Sequence, residues 1–128
     1  MPRQSIEVDS FGHQNPIPAA SRIGPMLVSS VIGAFTPGTR EIPTDVNDQI
    51  ENVFIHAGNI LEAAGATWDD VIRMTWFVDN GDLRAAINGP WVKRFPNPES
   101  RPSRHTQVTG APGGVARVSA DIHAYIER

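Results

Sequence analysis

The feature that most constrains the fold is a run near the C-terminus in which apolar and polar residues alternate without a break. Over residues 116–126 the apolar positions are Ala116, Val118, Ala120, Ile122, Ala124 and Ile126, and the residues between them are Arg117, Ser119, Asp121, His123 and Tyr125. Successive side chains of a β-strand point to opposite faces of a sheet, so this pattern predicts a long strand with one buried face and one polar face. Such a strand requires a second layer packed against its apolar face.

Two helices are predicted to form that layer. Apolar residues recur at three- and four-residue spacing over residues 45–64, which indicates an amphipathic helix that Gly65 can end. Residues 82–95 are predicted to form a second helix, which Gly89-Pro90 is expected to kink or interrupt. Between the helices, the β-branched and aromatic run at residues 71–78 predicts a buried strand.

Two shorter apolar segments precede the first helix. Residues 5–8 and 26–31 are predicted strands, the second entered through a Gly24-Pro25 turn, and the simplest arrangement pairs them as a hairpin. The order of elements predicts an α+β fold in which two helices cover one face of a mainly antiparallel or mixed sheet. A single domain over residues 1–128 is expected, because this length is typical of one domain. We expect another subunit to cover the remaining sheet face.

The segment from Arg104 to Gly110 is predicted to form a hairpin with the C-terminal strand across residues 111–114. Counting back from a Gly110–Val115 pair places Arg104 opposite Asp121 on the polar face. Two interpretations stay open: Arg104 binds a substrate carboxylate while Asp121 orients or deprotonates a water, or the two residues form a structural salt bridge. Beside a guanidinium, the pKa of Asp121 should stay low enough for the carboxylate to be ionised near neutral pH.

Composition argues against several other classes of protein. Eleven Lys and Arg against fourteen Asp and Glu give a net charge of -3, without the basic excess that nucleic-acid backbones require. There is no cysteine and the four histidines lack metal-ligand spacing, so neither a metal nor another cofactor is expected. The most apolar window, residues 26–35, is too short to span a membrane, and the N-terminus lacks a signal-peptide pattern. We therefore expect a cytoplasmic protein with neither nucleic-acid nor membrane partners.

Several segments also match motifs of one known family, beginning with four in the first ninety residues. Residues 15–20 (Asn-Pro-Ile-Pro-Ala-Ala) stand at the place of a Gly-Pro-Tyr-Ser-Gln-Ala segment, and residues 27–30 (Leu-Val-Ser-Ser) resemble a Phe-Val-Ser-Gly strand. Residues 60–71 are close to its Ile-Leu-Glu-Ala-Ala-Gly, Asp-Asp-Val stretch, and residues 86–88 match its Ala-Val-Asn.

Two further motifs complete the resemblance. Pro102-Ser103-Arg104 matches a Pro-x-Arg motif that carries a substrate-binding arginine, and residues 121–124 (Asp-Ile-His-Ala) resemble a terminal Glu-Ile-Glu-Ala. Together the motifs cover nearly the whole chain, which resembles the Rid/YjgF family of small homotrimeric enamine/imine deaminases. The combination is specific, although no single motif is.

The resemblance implies a chorismate-mutase-like homotrimer with pockets at the subunit interfaces and a small carboxylate-bearing substrate. In such a pocket Arg104 would bind the carboxylate of a 2-imino acid, and an acidic residue would position the water that attacks the imine carbon and releases ammonia. The candidate catalytic residues are Arg104 and Asp121 or Ser119. The candidate substrate-binding residues are Arg104, Thr106, Ser30, Ile17, Asn88 and Trp91.

Three departures from the family motifs bear on the substrate. Ile17 replaces the tyrosine, Ser30 replaces the strand glycine, and the terminal glutamate corresponds to Asp121, which we favour because Ile122 and Ala124 then keep their family places, or to Ser119. Another imine, such as an aminomuconate-like catabolic intermediate, is therefore open as the substrate. The alternative function is a trimeric protein that binds or senses a carboxylate without turnover, which Ser119 alone in the pocket would favour.

Overall fold

One six-stranded sheet with two helices on one face makes up the fold of the computed structural model, which describes residues 2–109 and 115–127. The elements in chain order are β1 (Gln4–Ile6), β2 (Ala20–Ile23), β3 (Met26–Ser29), α1 (Val46–Ala63), β4 (Val71–Val78), α2 (Leu83–Arg94), β5 (Ser103–Val108) and β6 (Val118–Tyr125). The predicted α+β class and the placement of both helices on one face are confirmed.

The strand order across the sheet is β1-β2-β3-β6-β4-β5. Every neighbouring pair is antiparallel except β4 and β5, which run parallel because α2 connects them as a crossover. The alternation predicted for the last strand is confirmed: Ala120, Ile122 and Ala124 are buried towards the helices. The opposite face, which we call the outer face, carries Thr75 from β4 and Ser119, Asp121 and His123 from β6.

The predicted pairing of residues 5–8 with residues 26–31 is wrong, because β2 lies between β1 and β3. The turn prediction is confirmed, since Gly24 and Pro25 form the two-residue loop that joins β2 to β3. Gly24 adopts a φ of 55°, a conformation that glycine reaches without the steric cost of a Cβ. The intervening strand is short and half polar, which is why its pattern was missed.

The predicted hairpin between Arg104–Gly110 and the last strand is also wrong. The sheet inserts β4 between β5 and β6, so that Arg104 pairs with Met74 and Asp121 pairs with Thr75. β6 and β4 bury apolar rows and occupy the middle of the sheet, whereas β5 is mostly polar and suits an edge. The turn predicted at residues 111–114, with Gly110 before it, lies outside the described residues.

Both predicted helices are present. Asp45 caps α1 by accepting a hydrogen bond from the Asn47 backbone at 2.8 Å, and Gly65 follows the helix with a φ of 76°. α2 continues through Pro90 without interruption, contrary to the expectation for Gly89-Pro90. Its buried residues Leu83, Ile87 and Trp91 pack into the core, and this packing outweighs the weak helix preference of the Gly-Pro pair.

Three buried polar side chains of α1 fasten neighbouring loops to the core. Gln49 donates to the carbonyls of Pro43 and Val115, both at 2.8 Å, and accepts from the Arg117 backbone. Asn52 donates to the Ala34 carbonyl at 3.0 Å, and the His56 ring bonds the Phe35 carbonyl at 2.7 Å. Because unpaired buried polar groups are costly, these bonds fix the path of the chain before α1 and at the start of β6.

His56 makes the stability of the fold sensitive to acid. Its side chain is fully buried against Phe11 and Phe35, and burial lowers its pKa while the bond to the Phe35 carbonyl partly opposes that shift. The unfolded chain therefore binds a proton more readily than the folded chain does. The contribution of His56 to the free energy of unfolding should therefore be fully present above the ordinary histidine pKa of about 6.5. It should fall as the pH drops below that value towards the lowered pKa of the folded state.

Urea unfolding at about pH 7 and pH 5.5 measures this effect, since the two pH values lie on either side of the ordinary histidine pKa. His56→Gln should remove most of the pH dependence, whatever it costs in stability at pH 7. His105→Gln, at an exposed histidine, should keep the wild-type dependence. An unchanged pH dependence in His56→Gln would contradict the assignment.

Candidate functional site

The strongest concentration of functional side chains lies in a groove between α2 and the edge strand β5. We call it the α2–β5 groove and define it by Arg84, Asn88, Trp91, Arg104 and Thr106. Arg84, Asn88 and Trp91 stand at positions i, i+4 and i+7 of α2, so one stripe of the helix faces the strand. Arg104 and Thr106 are two residues apart on β5 and pair with the buried residues Met74 and Trp76 of β4, which sets both on the helix side of the sheet.

The Arg104 guanidinium is held in place by two side chains of α2. Its Nη2 donates to Asn88 Oδ1 at 2.9 Å, and its central carbon lies 5.1 Å from the centre of the Trp91 ring. Trp91 is itself fixed against Phe95, with ring centres 4.7 Å apart. A hydrogen bond and a cation–π contact thus orient the planar fork, and its other donors have no hydrogen-bond partner in the described part of the chain, so a ligand can use them.

No carboxylate balances this charge among the residues that the structure describes. The ion pairs there are Arg94–Glu51 and Arg117–Asp79, and neither involves the groove. Burial, and after it the charge of the nearby Arg84, lowers the pKa of Arg104. Arginine nevertheless stays protonated at neutral pH, so the groove presents unbalanced positive charge to an anion.

Asp121 lies away from this groove within the chain. β4 separates its strand from β5, which puts the two backbones about 10 Å apart, and the two side chains occupy opposite faces of the sheet. The predicted cross-strand pair of Arg104 and Asp121 is therefore wrong, and so is the interpretation of the two as a salt bridge within one chain. Ser119 shares the outer face with Asp121, two residues earlier on β6.

The environment of Asp121 also differs from the one expected. Burial raises its pKa, and the nearby His123 opposes that rise, whereas a neighbouring guanidinium was expected to keep it low. One carboxylate oxygen, Oδ1, is buried without a hydrogen-bond partner among the described residues. A carboxyl group with a raised pKa suits proton transfer near neutral pH better than a fully solvated one does.

The remaining candidates divide between the two places. Thr106 lies in the α2–β5 groove, where its carbonyl accepts a long bond of 3.5 Å from Arg84. Ser30 follows β3 and donates to the Pro18 carbonyl at 2.8 Å, so its hydroxyl fastens the preceding loop. Ile17 lies on that loop and is 47% exposed, which leaves it free for a ligand or another chain.

One groove residue, Arg84, is absent from the sequence-based prediction. The sequence does place Arg84, Asn88 and Trp91 on one face of the predicted helix. That spacing points to a shared site only once β5 is known to lie beside α2.

Within residues 2–109 and 115–127, no group of three or more His, Asp or Glu side chains is arranged to hold a metal ion. In the same residues, no helix combines the length and the apolar character that a membrane crossing needs.

Comparison with known proteins adds to this geometry. A sequence model of the family described as Endoribonuclease L-PSP matches residues 11–126. TdcF of Escherichia coli K12, provisionally named a reactive intermediate deaminase, is 31% identical over 105 residues, which are 82% of this chain and 78% of TdcF. Reactive Intermediate Deaminase A of Arabidopsis thaliana chloroplasts is 33% identical over 89 residues, 68% of this chain but only 46% of the plant protein.

Solved structures agree with the sequence matches. RidA from the Antarctic bacterium Psychrobacter sp. PAMC 21119 superposes with a TM-score of 0.86 at 26% identity, over 96% of this chain and 99% of that one. E. coli TdcF with bound serine superposes with a TM-score of 0.85 at 26% identity, over 95% and 98% of the two chains. The chain belongs to the YjgF/Rid family, as its motifs indicated.

Proposed function

We propose that this protein is a hydrolytic deaminase of reactive imines or enamines that carry a carboxylate, and that it releases ammonia. The observation that carries the proposal is Arg104, a guanidinium oriented by Asn88 and Trp91 and balanced by no acidic side chain among the described residues. A planar fork with free donors is the side chain best suited to two parallel hydrogen bonds with a carboxylate. The serine bound to TdcF, itself a carboxylate, supports this ligand class.

The working site is proposed to lie between two copies of the chain. Arg104 and Asp121 occupy opposite faces of one sheet, so a site that uses both needs the outer face of a second copy. The outer face has reason to be covered, because four of its apolar side chains are 39–49% exposed. They are Ile23, Met26, Val28 and Tyr125. A homotrimer, as the family resemblance implies, would bury this surface and form three such sites.

The chemistry assigned to the site is addition of water to a C=N bond. Arg104 binds the carboxylate and so places the imine carbon against the neighbouring subunit. Asp121 accepts a proton from water as the oxygen bonds to that carbon, and the proton then goes to the nitrogen. As the C–N bond breaks, the proton of the new hydroxyl group also moves to the nitrogen and the C=O bond forms, so that ammonia leaves and a 2-oxo acid remains.

Ammonia release from imines generated in place from a panel of amino acids tests the proposal. We expect turnover above the uncatalysed rate for at least one imine, with one 2-oxo acid formed per ammonia. Light scattering should give about three times the chain mass of 13.9 kDa. Tight carboxylate binding without faster hydrolysis of any imine would contradict the deaminase proposal and favour a non-catalytic binding protein. A monomeric mass would contradict a site between subunits.

Asn88→Asp is expected to weaken carboxylate binding by about tenfold or more. The substitution sets a negative charge at the oxygen that now accepts from Arg104 at 2.9 Å, so that the protein itself neutralises the guanidinium. Titration calorimetry with a stable 2-oxo acid measures the change. Asn97→Asp, on the exposed loop after α2, makes the same change of charge and should bind as the wild type does. Equal affinities of the wild type and Asn88→Asp would contradict the site.

A further inference from the structure

A second guanidinium lies beside Arg104 in the α2–β5 groove. Arg84 is close enough for its charge to act on Arg104, yet within residues 2–109 and 115–127 it donates hydrogen bonds only to backbone carbonyls. Its Nη1 lies 3.4 Å from the Gly81 carbonyl and its Nη2 lies 3.5 Å from the Thr106 carbonyl, both at the long limit of a hydrogen bond. The side chain is exposed and forms no ion pair in the described part of the chain.

Two like charges repel, and nothing within the described groove offsets that repulsion. Neither arginine forms an ion pair with a described residue, in contrast to Arg94 and Arg117, which pair with Glu51 and Asp79. The fold therefore tolerates an uncompensated pair of guanidiniums along one groove. An anionic ligand that reaches both would relieve the repulsion and gain charge-assisted hydrogen bonds at each end.

We propose that Arg84 binds a second anionic group of the ligand, so that the preferred substrates are dicarboxylates rather than simple 2-imino acids. Arg84 contacts Thr106, two residues along β5 from Arg104, and this step on a strand measures about 6.6 Å. The second carboxylate would accordingly sit at the far end of a short carbon chain whose first carboxylate Arg104 holds. The inference rests on the proposed function for the identity of the reacting imine, but its binding test does not require turnover.

Binding of two stable ligands of equal chain length tests this inference. Titration calorimetry with 2-oxoglutarate and with 2-oxopentanoate compares a terminal carboxylate with a terminal methyl group. The wild type should bind 2-oxoglutarate at least about tenfold more tightly, which is the scale of one hydrogen bond between charged groups. Arg84→Gln should reduce that preference by about tenfold, and Arg40→Gln, at an exposed arginine on the loop before α1, should keep it.

The outcomes separate this inference from the proposed function. The role of Arg84 is contradicted if the wild type binds 2-oxoglutarate and 2-oxopentanoate equally well, or if Arg84→Gln keeps the full preference for 2-oxoglutarate. Either result counts against it even if the protein deaminates imines. A preference that depends on Arg84 supports it even if no imine is turned over. Deamination of the imines derived from glutamate and norvaline, followed through kcat/KM, should repeat the binding preference if the protein is an enzyme.

Discussion

Arg104→Lys should weaken binding of a carboxylate ligand by about tenfold to a hundredfold. Lysine keeps the positive charge but lacks the fork that makes two parallel hydrogen bonds, and its compact ammonium cannot both bond Asn88 and stack on Trp91. Titration calorimetry with a 2-oxo acid measures the affinity, and the deaminase assay should show a higher KM.

The control for this substitution is Arg40→Lys, which makes the same exchange at an exposed loop position. It should bind as the wild type does. Wild-type affinity in Arg104→Lys would show that bidentate binding is not the role of Arg104, and that its contacts with α2 serve the fold alone.

Asp121→Asn should lower kcat by about a hundredfold or more while leaving binding largely intact, because the amide keeps the shape of the carboxylate but cannot accept a proton. The acidic limb of the wild-type pH–rate profile should also vanish. That limb is expected above the usual aspartate range, since burial raises the pKa of Asp121. Steady-state kinetics over a range of pH measure both effects.

Ser119→Ala is the matched test on the same strand and the same face. Its hydroxyl can hold water by one neutral hydrogen bond at most, so the loss of kcat should stay below about tenfold. If Ser119→Ala lost far more activity than Asp121→Asn, the water-positioning group would be Ser119, two residues earlier on β6.

Local patterns were enough to locate most elements of the fold. The three- and four-residue spacing located α1, the β-branched run located β4 and the strict alternation located β6. The pairing of the strands was harder to predict than their positions. A turn motif between two strands favours a hairpin only when the two strands can lie side by side. The order β4, α2, β5 held the missing information, since strands joined through a helix commonly pair in parallel.

The site could be predicted only as far as its residue types. Arg104 came from its predicted strand register and from motif resemblance, Asn88 came from motif resemblance, and Trp91 was an aromatic candidate for the pocket. The structure brings these three together. The partner of Arg104 was misplaced because a two-strand register cannot reveal that a third strand intervenes. Arg84 could be identified as a candidate site residue only after the structure showed which strand lies beside α2.

Mixing two inactive variants tests the central claim, a site shared between copies, most directly. Arg104→Ala and Asp121→Asn, each inactive alone, can be unfolded together in equal amounts and refolded into mixed assemblies. If Arg104 of one copy works with Asp121 of another, about a quarter of the sites regain both residues, and about a quarter of the wild-type activity should return. Activity that stays at the level of the separate variants, in assemblies shown to be mixed, would contradict the shared site.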